Sequence, residues 1–309
     1  MTRILVTGAA GNIGSALVER LLTGKEYLVV AVDNFLTGAQ SKLPLERPST
    51  FTFIKADVNS YYDISAIMQA YRFDYVFHYA AVVGVKRTLD NPVLVLNDIQ
   101  GIKNILDLSK NTGVKRVFFS SSSEVYGEPV EFPQNENTTP LNSRLPYAIV
   151  KNVGESFLRS YQKEYDLNFT IFRFFNTYGP RQSEDFVITR FLKQALAGSD
   201  ITIYGEGTQS RTFCYIDDNM DTTIKCLQEG HCLNDVMNVG SDEEISIRAL
   251  AKKIIELTKS PSAIKFLPAL PEGDMTRRKP DNTKMMAILK RPLLSLEYGI
   301  LKTLASRMF

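Results

Sequence analysis

A tyrosine and a lysine one helical turn apart could carry out proton transfer. The stretch YAIVK places Tyr147 and Lys151 at positions i and i+4, on one face of a predicted helix that begins at Pro146. A lysine ammonium stabilises a phenolate and lowers the pKa of the tyrosine. The tyrosine can then take a proton from a hydroxyl while a neighbouring acceptor takes a hydride. The same spacing also occurs in ordinary surface pairs, so the surrounding sequence must decide between the two interpretations.

A serine run lies upstream of that helix and follows a predicted strand. The stretch SSSSEVYG occupies residues 120–127, and ligands of open α/β sheets bind at the carboxyl ends of the strands. Ser122 is the candidate for orienting the substrate oxygen that Tyr147 deprotonates. Glu124 is a candidate acid or base, or only a helix-cap charge. The alternative for the serines is turn chemistry, with hydroxyls bonded to their own backbone.

A glycine-rich stretch near the start of the chain, TGAAGNIG, predicts a dinucleotide site. Gly8, Gly11 and Gly14 form a GxxGxxG pattern, in which the backbone can approach a pyrophosphate at a helix N-terminus. Asp33 ends the next predicted strand, close to the separation of about 20 residues expected of a ribose-binding acid. A carboxylate there repels a 2′-phosphate, which favours NAD over NADP. The alternative is a glycine turn with Asp33 as an ordinary strand-end residue.

Further candidate cofactor contacts lie at the ends of the following strands. Asp57 would reach the adenine amino group, or it caps a helix. Ala80 and Ala81 in HYAA are small enough for a ribose to lie against the backbone, and His78 is interpreted as a buried, hydrogen-bonded histidine. The full predicted cofactor set is Gly8, Gly11, Asn12, Ile13, Gly14, Asp33, Asn34, Asp57, Val58, Tyr79, Ala80, Ala81, Tyr147 and Lys151.

The elements that must position these residues alternate between strand and helix. Six short runs are almost wholly apolar, which is typical of strands covered by helices on both faces. This predicts an α/β fold with a Rossmann-type doubly wound parallel sheet. Residues 92–113 are predicted to form one long helix that ends at Gly113. Residues 236–241 are predicted to return a late strand to the sheet.

Two parts of unequal size are predicted. Residues 1–176 form the NAD-binding Rossmann domain, which about 212–240 is expected to rejoin. Residues 177–211 and 241–309 contain polar loops punctuated by Gly and Pro, and are predicted to form a smaller C-terminal substrate-binding lobe. The cleft between the two parts is the expected ligand site.

Composition excludes several classes of protein. The chain has 309 residues, 44% of them hydrophobic, and a net charge of +2, which does not indicate a nucleic-acid partner. Cys214, Cys226 and Cys232 form no close CxxC pair and only two histidines are present, so no metal site is predicted. No apolar run is long enough to span a membrane and no signal sequence is recognised. A cytoplasmic protein with reduced cysteines is therefore expected.

Taken together, these motifs resemble those of the extended short-chain dehydrogenases/reductases that modify nucleotide sugars. TGAAGNIG, HYAA, SSSSEVYG, YAIVK and RFFNTYGPR occur in the family's order and cover nearly the whole chain. The resemblance implies NAD as cofactor, a UDP- or dTDP-sugar as substrate, and a catalytic set of Ser122, Tyr147 and Lys151. One departure lies in VLNDIQG, where the family often has Asn three residues before the glycine. This chain has Asp98 there, with Asn97 alongside.

The resemblance also implies substrate contacts and an assembly. Arginine suits phosphate oxygens because its fork binds bidentately, although each arginine here could be a solvated surface charge. Residues 92–112 and 146–165 are candidates for a four-helix bundle in a homodimer. The predicted substrate-binding residues are Ser123, Asn176, Arg181, Tyr204, Arg211 and Arg278, with Arg277 beside the last of them.

Three reactions of this family share a first step, the oxidation of the sugar C4 hydroxyl to a ketone. A 4-epimerase returns the hydride to the other face of the keto sugar. A 4,6-dehydratase removes the C5 hydrogen with a Glu and protonates the departing C6 hydroxyl with an Asp. A uronate decarboxylase releases carbon dioxide easily, because the ketone is β to the C6 carboxylate.

Different motifs of this chain favour different reactions among these three. Dehydratases resemble STDEVYG, but Ser123 stands in place of the Asp, which argues against dehydration. Decarboxylases resemble STSEVYG, and they carry an RKPD-like stretch that occurs here at Arg278–Asp281. HYAAVVGVKR and PYAIVK look more like epimerases, many of which have a small residue where Glu124 lies. We therefore predict a 4-epimerase of the UDP-hexose type, with a UDP-glucuronate decarboxylase as the alternative. A dehydratase or a non-catalytic NAD-binding protein is less favoured.

Overall fold

The computed structural model describes residues 1–46, 48–269 and 276–306, and its centre is a parallel sheet of seven strands. The order across this sheet is the eleventh, sixth, fifth, fourth, first, second and third strand, so the chain winds outward from the first strand in both directions. This confirms the Rossmann-type doubly wound sheet. The strands are β1 (Thr2–Thr7), β2 (Tyr27–Asp33), β3 (Phe51–Lys55), β4 (Tyr75–His78), β5 (Arg116–Ser122), β6 (Asn168–Phe174), β7 (Thr177–Tyr178), β8 (Ile201–Tyr204), β9 (Ser210–Thr212), β10 (Cys214–Tyr215), β11 (Asp235–Val239), β12 (Glu244–Ser246) and β13 (Ile264–Leu267).

Helices connect the strands and cover both faces of the sheet. Short 3₁₀ turns occur at Gln40–Lys42 and at Ser123–Tyr126. The helices are α1 (Asn12–Leu22), α2 (Tyr61–Tyr71), α3 (Val85–Asp90), α4 (Pro92–Leu96), α5 (Asp98–Thr112), α6 (Pro146–Tyr165), α7 (Val187–Leu196), α8 (Ile216–Gln228), α9 (Ile247–Thr258), α10 (Thr283–Leu289) and α11 (Leu296–Ser306).

The prediction of one helix over residues 92–113 was wrong. The chain forms α4 and α5 with a turn at Asn97 between them. The backbone N–H of Gln100 donates to the Asn97 carbonyl at 3.0 Å, three residues back instead of four. This tight turn interrupts the regular helix, and α5 then begins at Asp98.

Alternate residues of the central strands enter different cores, which explains why the strands have continuous apolar sequences. In β1, Ile4 and Val6 pack in one cluster, whereas Leu5 packs in the other, and all three are fully buried. A parallel strand with helices on both sides has no solvent-facing side, so it does not alternate between polar and apolar residues. None of the helices in the described residues is long and apolar enough to cross a membrane.

After β6 the chain builds small sheets and returns once to the large one. Strand β11 pairs with β6, which confirms the predicted late strand. The pairs β7–β10, β8–β13 and β9–β12 form two-stranded sheets. A segment near the C-terminus lies against the loop that follows β5, because the Gln134 N–H donates to the Lys279 carbonyl and the Asp281 N–H to the Gln134 carbonyl, both at 2.8 Å. Of the predicted C-terminal lobe, residues 270–275 and 307–309 lie outside the described residues.

Candidate active site

A cavity of about 600 Å³ runs along the carboxyl ends of the sheet strands. Its wall is made by the residues that end or follow β1 to β6, together with α6 and the segment before α10. Folding therefore brings together motifs that are far apart in the sequence. The predicted residues that line the cavity are Gly8, Gly11, Asn12, Ile13, Gly14, Asp33, Asn34, Asp57, Val58, Tyr79, Ala80, Ala81, Ser122, Ser123, Glu124, Tyr147, Lys151, Asn176 and Arg278.

The glycine turn between β1 and α1 fits a pyrophosphate. A Cβ atom on Gly14 would lie 2.1 Å from the Gly8 carbonyl oxygen, so no larger residue is accommodated without a shift of the backbone. Gly8 has a φ of +68°, and a Cβ there would lie 2.7 Å from the Ala80 backbone nitrogen. The turn therefore needs glycine for its geometry. It leaves bare backbone at the N-terminus of α1, where an anion is stabilised.

Asp33 is held in place at the end of β2, beside this turn. Its Oδ2 accepts a hydrogen bond from the Ala10 N–H at 2.9 Å, and its Oδ1 accepts one from the Phe35 N–H at 2.7 Å. Each carboxylate oxygen has a second lone pair, which can accept from a hydroxyl in the cavity. The residues present thus fit a dinucleotide with a free ribose diol.

Thr7 and His78 anchor the neighbouring strand end. The Thr7 Oγ1 lies 2.9 Å from the His78 Nδ1, and it accepts from the backbone N–H groups of Tyr79 and Ala80 at 3.1 and 3.2 Å. Burial lowers the pKa of His78 to about 3, so the imidazole is neutral at physiological pH. This agrees with the interpretation of His78 as a buried, hydrogen-bonded residue that holds the strand end in place.

Tyr147 and Lys151 project from the first two turns of α6 toward Ser122. The helix begins at Pro146, a position where the missing N–H has no cost. The Lys151 side chain is buried, and its Nζ lies 5.6 Å from the centre of the Tyr147 ring and 3.4 Å from the Ser120 Oγ. The Ser122 Oγ accepts from the Glu124 N–H at 3.2 Å and faces the same space. The arrangement can pass a proton between Tyr147 and a hydroxyl held by Ser122.

The prediction that Lys151 lowers the pKa of Tyr147 is not what the structure shows. Burial raises the pKa of Tyr147 above its ordinary value, the nearby charge of Glu124 raises it further, and a hydrogen bond with Ser122 opposes the rise. Burial also lowers the pKa of Lys151, to about 8. In this state Tyr147 is a neutral acid and Lys151 is still mostly charged at pH 7. A phenolate at Tyr147 therefore needs positive charge in addition to that of Lys151.

Glu124 meets Arg278 in the cavity, beside the serines. The Arg278 Nη1 lies 3.6 Å from the Glu124 Oε1, and the two side chains are only 7% and 20% exposed. Arg278 comes from the segment that is hydrogen-bonded to the loop after β5, and this explains how such a distant residue reaches the site. An acid and a cation thus lie together next to the proton-transfer residues.

A buried polar network ties the catalytic helix to the sheet. The Ser121 Oγ donates to the Glu155 Oε1 at 2.6 Å, one turn beyond Lys151. Arg173 donates to the same carboxylate from Nε at 2.9 Å and from Nη2 at 2.7 Å. Arg173 also donates to the Tyr126 hydroxyl at 2.9 Å. The network therefore sets the position of α6 relative to β5 and to the 3₁₀ turn that carries Glu124.

The same network extends to the segment that carries Arg278. The Tyr126 hydroxyl donates to the Asn238 Oδ1 at 2.7 Å, and the Asn238 Nδ2 donates to the Asp281 carbonyl at 3.2 Å. Asn238 lies in β11, the strand that returns to the sheet. Strand β11 thus helps to position the pair of Glu124 and Arg278, and it also forms the edge of the sheet.

Replacing Glu155 by glutamine is expected to reduce the free energy of unfolding by about 3–5 kcal/mol, because the buried Arg173 guanidinium loses its counter-ion. Chemical denaturation followed by circular dichroism measures this change. Arg159→Gln is the matched control: its guanidinium is 4.0 Å from the same carboxylate but the side chain is 49% exposed. We expect that control to cost less than about 1 kcal/mol. Equal losses for the two variants would contradict the assignment of Arg173 as the main partner.

Three of the predicted substrate residues do not line the cavity. Arg181 forms an ion pair with Glu19 of α1. Tyr204 lies under the guanidinium of Arg190, whose central carbon is 5.5 Å from the ring centre. Arg211 is buried in β9. Local sequence did not reveal that Arg181 pairs with Glu19 or that Tyr204 packs against Arg190, and contacts of the three residues with a substrate stay predictions.

Several cavity residues were not predicted from the sequence. Lys42 and Asp98 line the wall, as do Arg87 and Asp185, which form an ion pair at 3.0 Å between α3 and the loop before α7. No spacing in the sequence connects Arg87 with Asp185. The departure at Asp98 was visible as an acid in place of the usual amide, although its position in the wall was not. In the described part of the chain, no group of three or more His, Cys, Asp or Glu side chains is arranged to hold a metal ion.

Comparison with known proteins agrees with this geometry. A sequence model of the NAD dependent epimerase/dehydratase family matches residues 4–240. The chain belongs to this family. Among relatives of the chain, a UDP-N-acetyl-alpha-D-glucosaminuronate decarboxylase of Bacillus cytotoxicus is 36% identical over 98% of this chain and 96% of its own length.

Solved structures of other family members have the same fold. A UDP-glucose 4-epimerase of Thermotoga maritima, solved with UDP-glucose, has a TM-score of 0.92 and 31% identity over 98% of each chain. A UDP-glucuronic acid 4-epimerase of Bacillus cereus, solved with UDP-glucuronic acid and NAD, has a TM-score of 0.90 and 32% identity over 99% of each chain. Family members this similar to the chain thus carry out different reactions on nucleotide sugars.

Proposed function

We propose that this member of the family is a decarboxylase of nucleotide-linked uronic acids. The observation that carries the proposal is the pair of Glu124 and Arg278 in the wall beside Tyr147 and Ser122. A hexose presents only a hydroxymethyl group at C6, which needs neither a cation nor an acid. A uronate presents a carboxylate there, and a buried arginine is the side chain best suited to bind it.

The first step is the oxidation of the sugar at C4. Ser122 orients the C4 hydroxyl, and Tyr147 in its phenolate form accepts the proton while Lys151 stabilises that charge. When bound, NAD would supply the hydride acceptor and a positive charge that favours ionisation of Tyr147. Gly8, Gly11 and Gly14 with Asp33 would hold it, and the rest of the proposed cofactor set lines the same wall.

The second step is the loss of carbon dioxide. In the 4-keto uronate the C5–C6 bond breaks, C6 leaves as carbon dioxide, and the electron pair passes to the enolate of C5, C4 and the C4 oxygen. Arg278 shares its charge with Glu124, so a substrate carboxylate beside them is bound without being fully neutralised. Glu124 relays a proton from solvent to C5. Hydride return to C4 and proton return from Tyr147 then complete a cycle with no net oxidation.

The names of some relatives support a uronate as the substrate. The Bacillus cytotoxicus relative is a decarboxylase of a UDP-linked N-acetylated uronate, and plant UDP-glucuronic acid decarboxylases are 34% identical over 96% of this chain. We infer a UDP-linked uronate, with or without an N-acetyl group at C2. Ser123 and Asn176 lie in the wall where such a sugar would be held.

A direct test is to incubate the purified protein with UDP-glucuronate, UDP-N-acetylglucosaminuronate and UDP-glucose. We expect a product lighter by the mass of carbon dioxide from at least one uronate and none from UDP-glucose. Since the cofactor is regenerated in each cycle, no added NAD should be needed. Mass spectrometry and NMR of the sugar measure the outcome. Loss of water would indicate a dehydratase, and interconversion at C4 without change of mass would replace the proposal by epimerisation.

Epimerisation at C4 is the second candidate and was the reaction predicted from the sequence. Its specific support is the close match to the UDP-glucose 4-epimerase of Thermotoga maritima, together with the epimerase-like stretch HYAAVVGVKR. The two reactions share Ser122, Tyr147 and Lys151, and they differ in whether Glu124 is needed. Epimerisation of a UDP-hexose at this site therefore stays a prediction that the same assay tests.

We also propose how the substrate and a second subunit are placed. The nucleotide sugar would lie between the Rossmann part, residues 1–176, and the lobe formed by 177–211 and 241–309.

The outer face of α4 and α6 exposes Val93, Leu96 and Ile149, apolar side chains that a homodimer would cover. Size-exclusion chromatography with light scattering measures the assembly.

A further inference from the structure

The segment that carries Arg278 is held between two parts of the protein. On one side Ser210, in β9, pairs with Arg277 in a parallel bridge. On the other side Gln134, in the loop after β5, pairs with Pro280 in the same way. Arg278 lies between these two bridges, so its backbone is held from both directions.

The side chain of Arg277 anchors this segment. Its Nε donates to the Glu244 Oε1 and its Nη2 donates to the Glu244 Oε2, both at 2.7 Å, which is the bidentate geometry of an arginine–carboxylate pair. Glu244 begins β12, which pairs with β9, and its Oε1 also accepts from the Ser210 Oγ. The central carbon of the guanidinium lies 4.2 Å from the centre of the Phe132 ring, in the loop after β5. Arg277 is thus fixed by an acid on one side and by an aromatic ring on the other.

The anchored side chain determines where its neighbour points. Extended, paired backbone directs successive side chains to opposite sides. Arg277 faces Glu244, outside the cavity, whereas Arg278 is buried in the cavity wall. The contact of Arg278 with Glu124, at 3.6 Å, is longer than a hydrogen bond and does not by itself fix the guanidinium. The register of the segment therefore sets the position of the Arg278 charge.

We propose that Arg277 and Glu244 are positioning residues, whose ion pair holds Arg278 where it can bind the carboxylate of a uronate. Neither residue touches the reacting atoms, and both act through Arg278. A displacement of about 1 Å at such a group can cost about 10²-fold in rate, so this anchor controls the preference for a uronate over a hexose. The inference rests on the proposed function, because it takes a sugar carboxylate as the ligand of Arg278.

The quantity that tests this role is the ratio of the dissociation constants of UDP-glucose and UDP-glucuronate. The two ligands differ only at C6, so contacts with the nucleotide, the diphosphate and the sugar ring cancel in the ratio. A variant that is merely less stable leaves the ratio unchanged. Calorimetric titration of the NAD-loaded Tyr147→Phe protein measures both constants, because this variant is expected to bind the sugars without oxidising them. Each further substitution is made in that background.

Glu244→Gln is expected to lower the ratio about tenfold, because an amide offers one acceptor where the carboxylate offers two and carries no charge. Arg277→Gln should lower the ratio by the same factor. The double variant should lose no more than either single variant, since both act through one ion pair. Arg277→Lys keeps the charge but not the bidentate fork, so a smaller fall is expected. It also provides the test if Glu244→Gln does not fold.

Glu243→Gln is the matched control, because it removes a carboxylate from the adjacent position. The Glu243 Oε2 accepts from the Leu296 N–H at 3.0 Å, at the start of α11, and not from the segment that carries Arg278. We expect the ratio to keep its original value in this control. An equal fall in Glu243→Gln and Glu244→Gln would overturn the role of the ion pair.

Arg278→Gln separates this inference from the proposed function. If it abolishes the preference for the uronate and the two anchor variants lower the ratio, the positioning role is supported. If it abolishes the preference but Glu244→Gln and Arg277→Gln leave the ratio unchanged, the positioning role is overturned and the proposed function stands. An unchanged ratio in Arg278→Gln would overturn the positioning role and also the use of Arg278 in the proposed function.

Discussion

Replacing Tyr147 by phenylalanine is expected to lower kcat about 10²- to 10⁴-fold, the usual contribution of a positioned acid or base. The phenol is the group in the cavity that can both accept the C4 proton and return it. The ring itself is retained in the variant, so packing against Lys151 is preserved. Binding of NAD and sugar should therefore change much less than kcat.

Single-turnover measurements of cofactor reduction give the rate of this step directly. Tyr165→Phe, at the far end of the same helix and half exposed, is the control and should retain the full rate. Unfolding by heat should be similar for both variants and the native protein. A rate of cofactor reduction unaffected by Tyr147→Phe would contradict the assignment of Tyr147 as the proton acceptor, and no reduction even in the native protein would favour a protein that binds NAD without catalysis.

Replacing Glu124 by glutamine is expected to slow formation of the decarboxylated product about 10²- to 10⁴-fold, since C5 loses its proton donor. Oxidation at C4 should continue, because Ser122, Tyr147 and Lys151 are unchanged. Reduced cofactor and keto sugar should therefore accumulate in the variant. The substitution also leaves Arg278 with its full charge for the substrate carboxylate, which should tighten uronate binding.

Absorbance of reduced nicotinamide and the mass of the sugar together separate the two steps. Glu128→Gln is the matched control, since Glu128 follows the same 3₁₀ turn but is exposed and contacts Thr276. It should leave both steps unchanged. Full turnover by Glu124→Gln with no accumulation of reduced cofactor would argue for 4-epimerisation and against the acid role of Glu124.

Features that depend on neighbouring residues could be predicted from the sequence. The apolar runs predicted the parallel sheet, because a strand covered on both faces cannot alternate in polarity. The glycine spacing predicted a turn that only bare backbone can form, and a Cβ atom added to Gly14 would lie only 2.1 Å from the Gly8 carbonyl oxygen. The i, i+4 spacing placed Tyr147 and Lys151 on one helix face. In each case the cause acts within a few residues of the motif.

Features that depend on distant segments could not be predicted. Glu124 and Arg278 meet because β11 and the segment around Asp281 lie against the loop after β5. The pKa of Tyr147 is set by its burial and by charges that other elements bring to it, so the spacing with Lys151 gave the wrong direction. The ion pair of Arg181 with Glu19 also joins two distant segments, so the sequence did not predict it.

The sequence by itself therefore determined the family, the doubly wound sheet and the placement of Tyr147 and Lys151 on one helix face, since local periodicity and short motifs encode them. Only the tertiary structure decided which charges surround that pair. Arg278, for example, came from near the C-terminus to face Glu124. Electrostatic energy depends on the distance between charges in space and on their burial, and neither can be inferred from how far apart two residues are in the sequence.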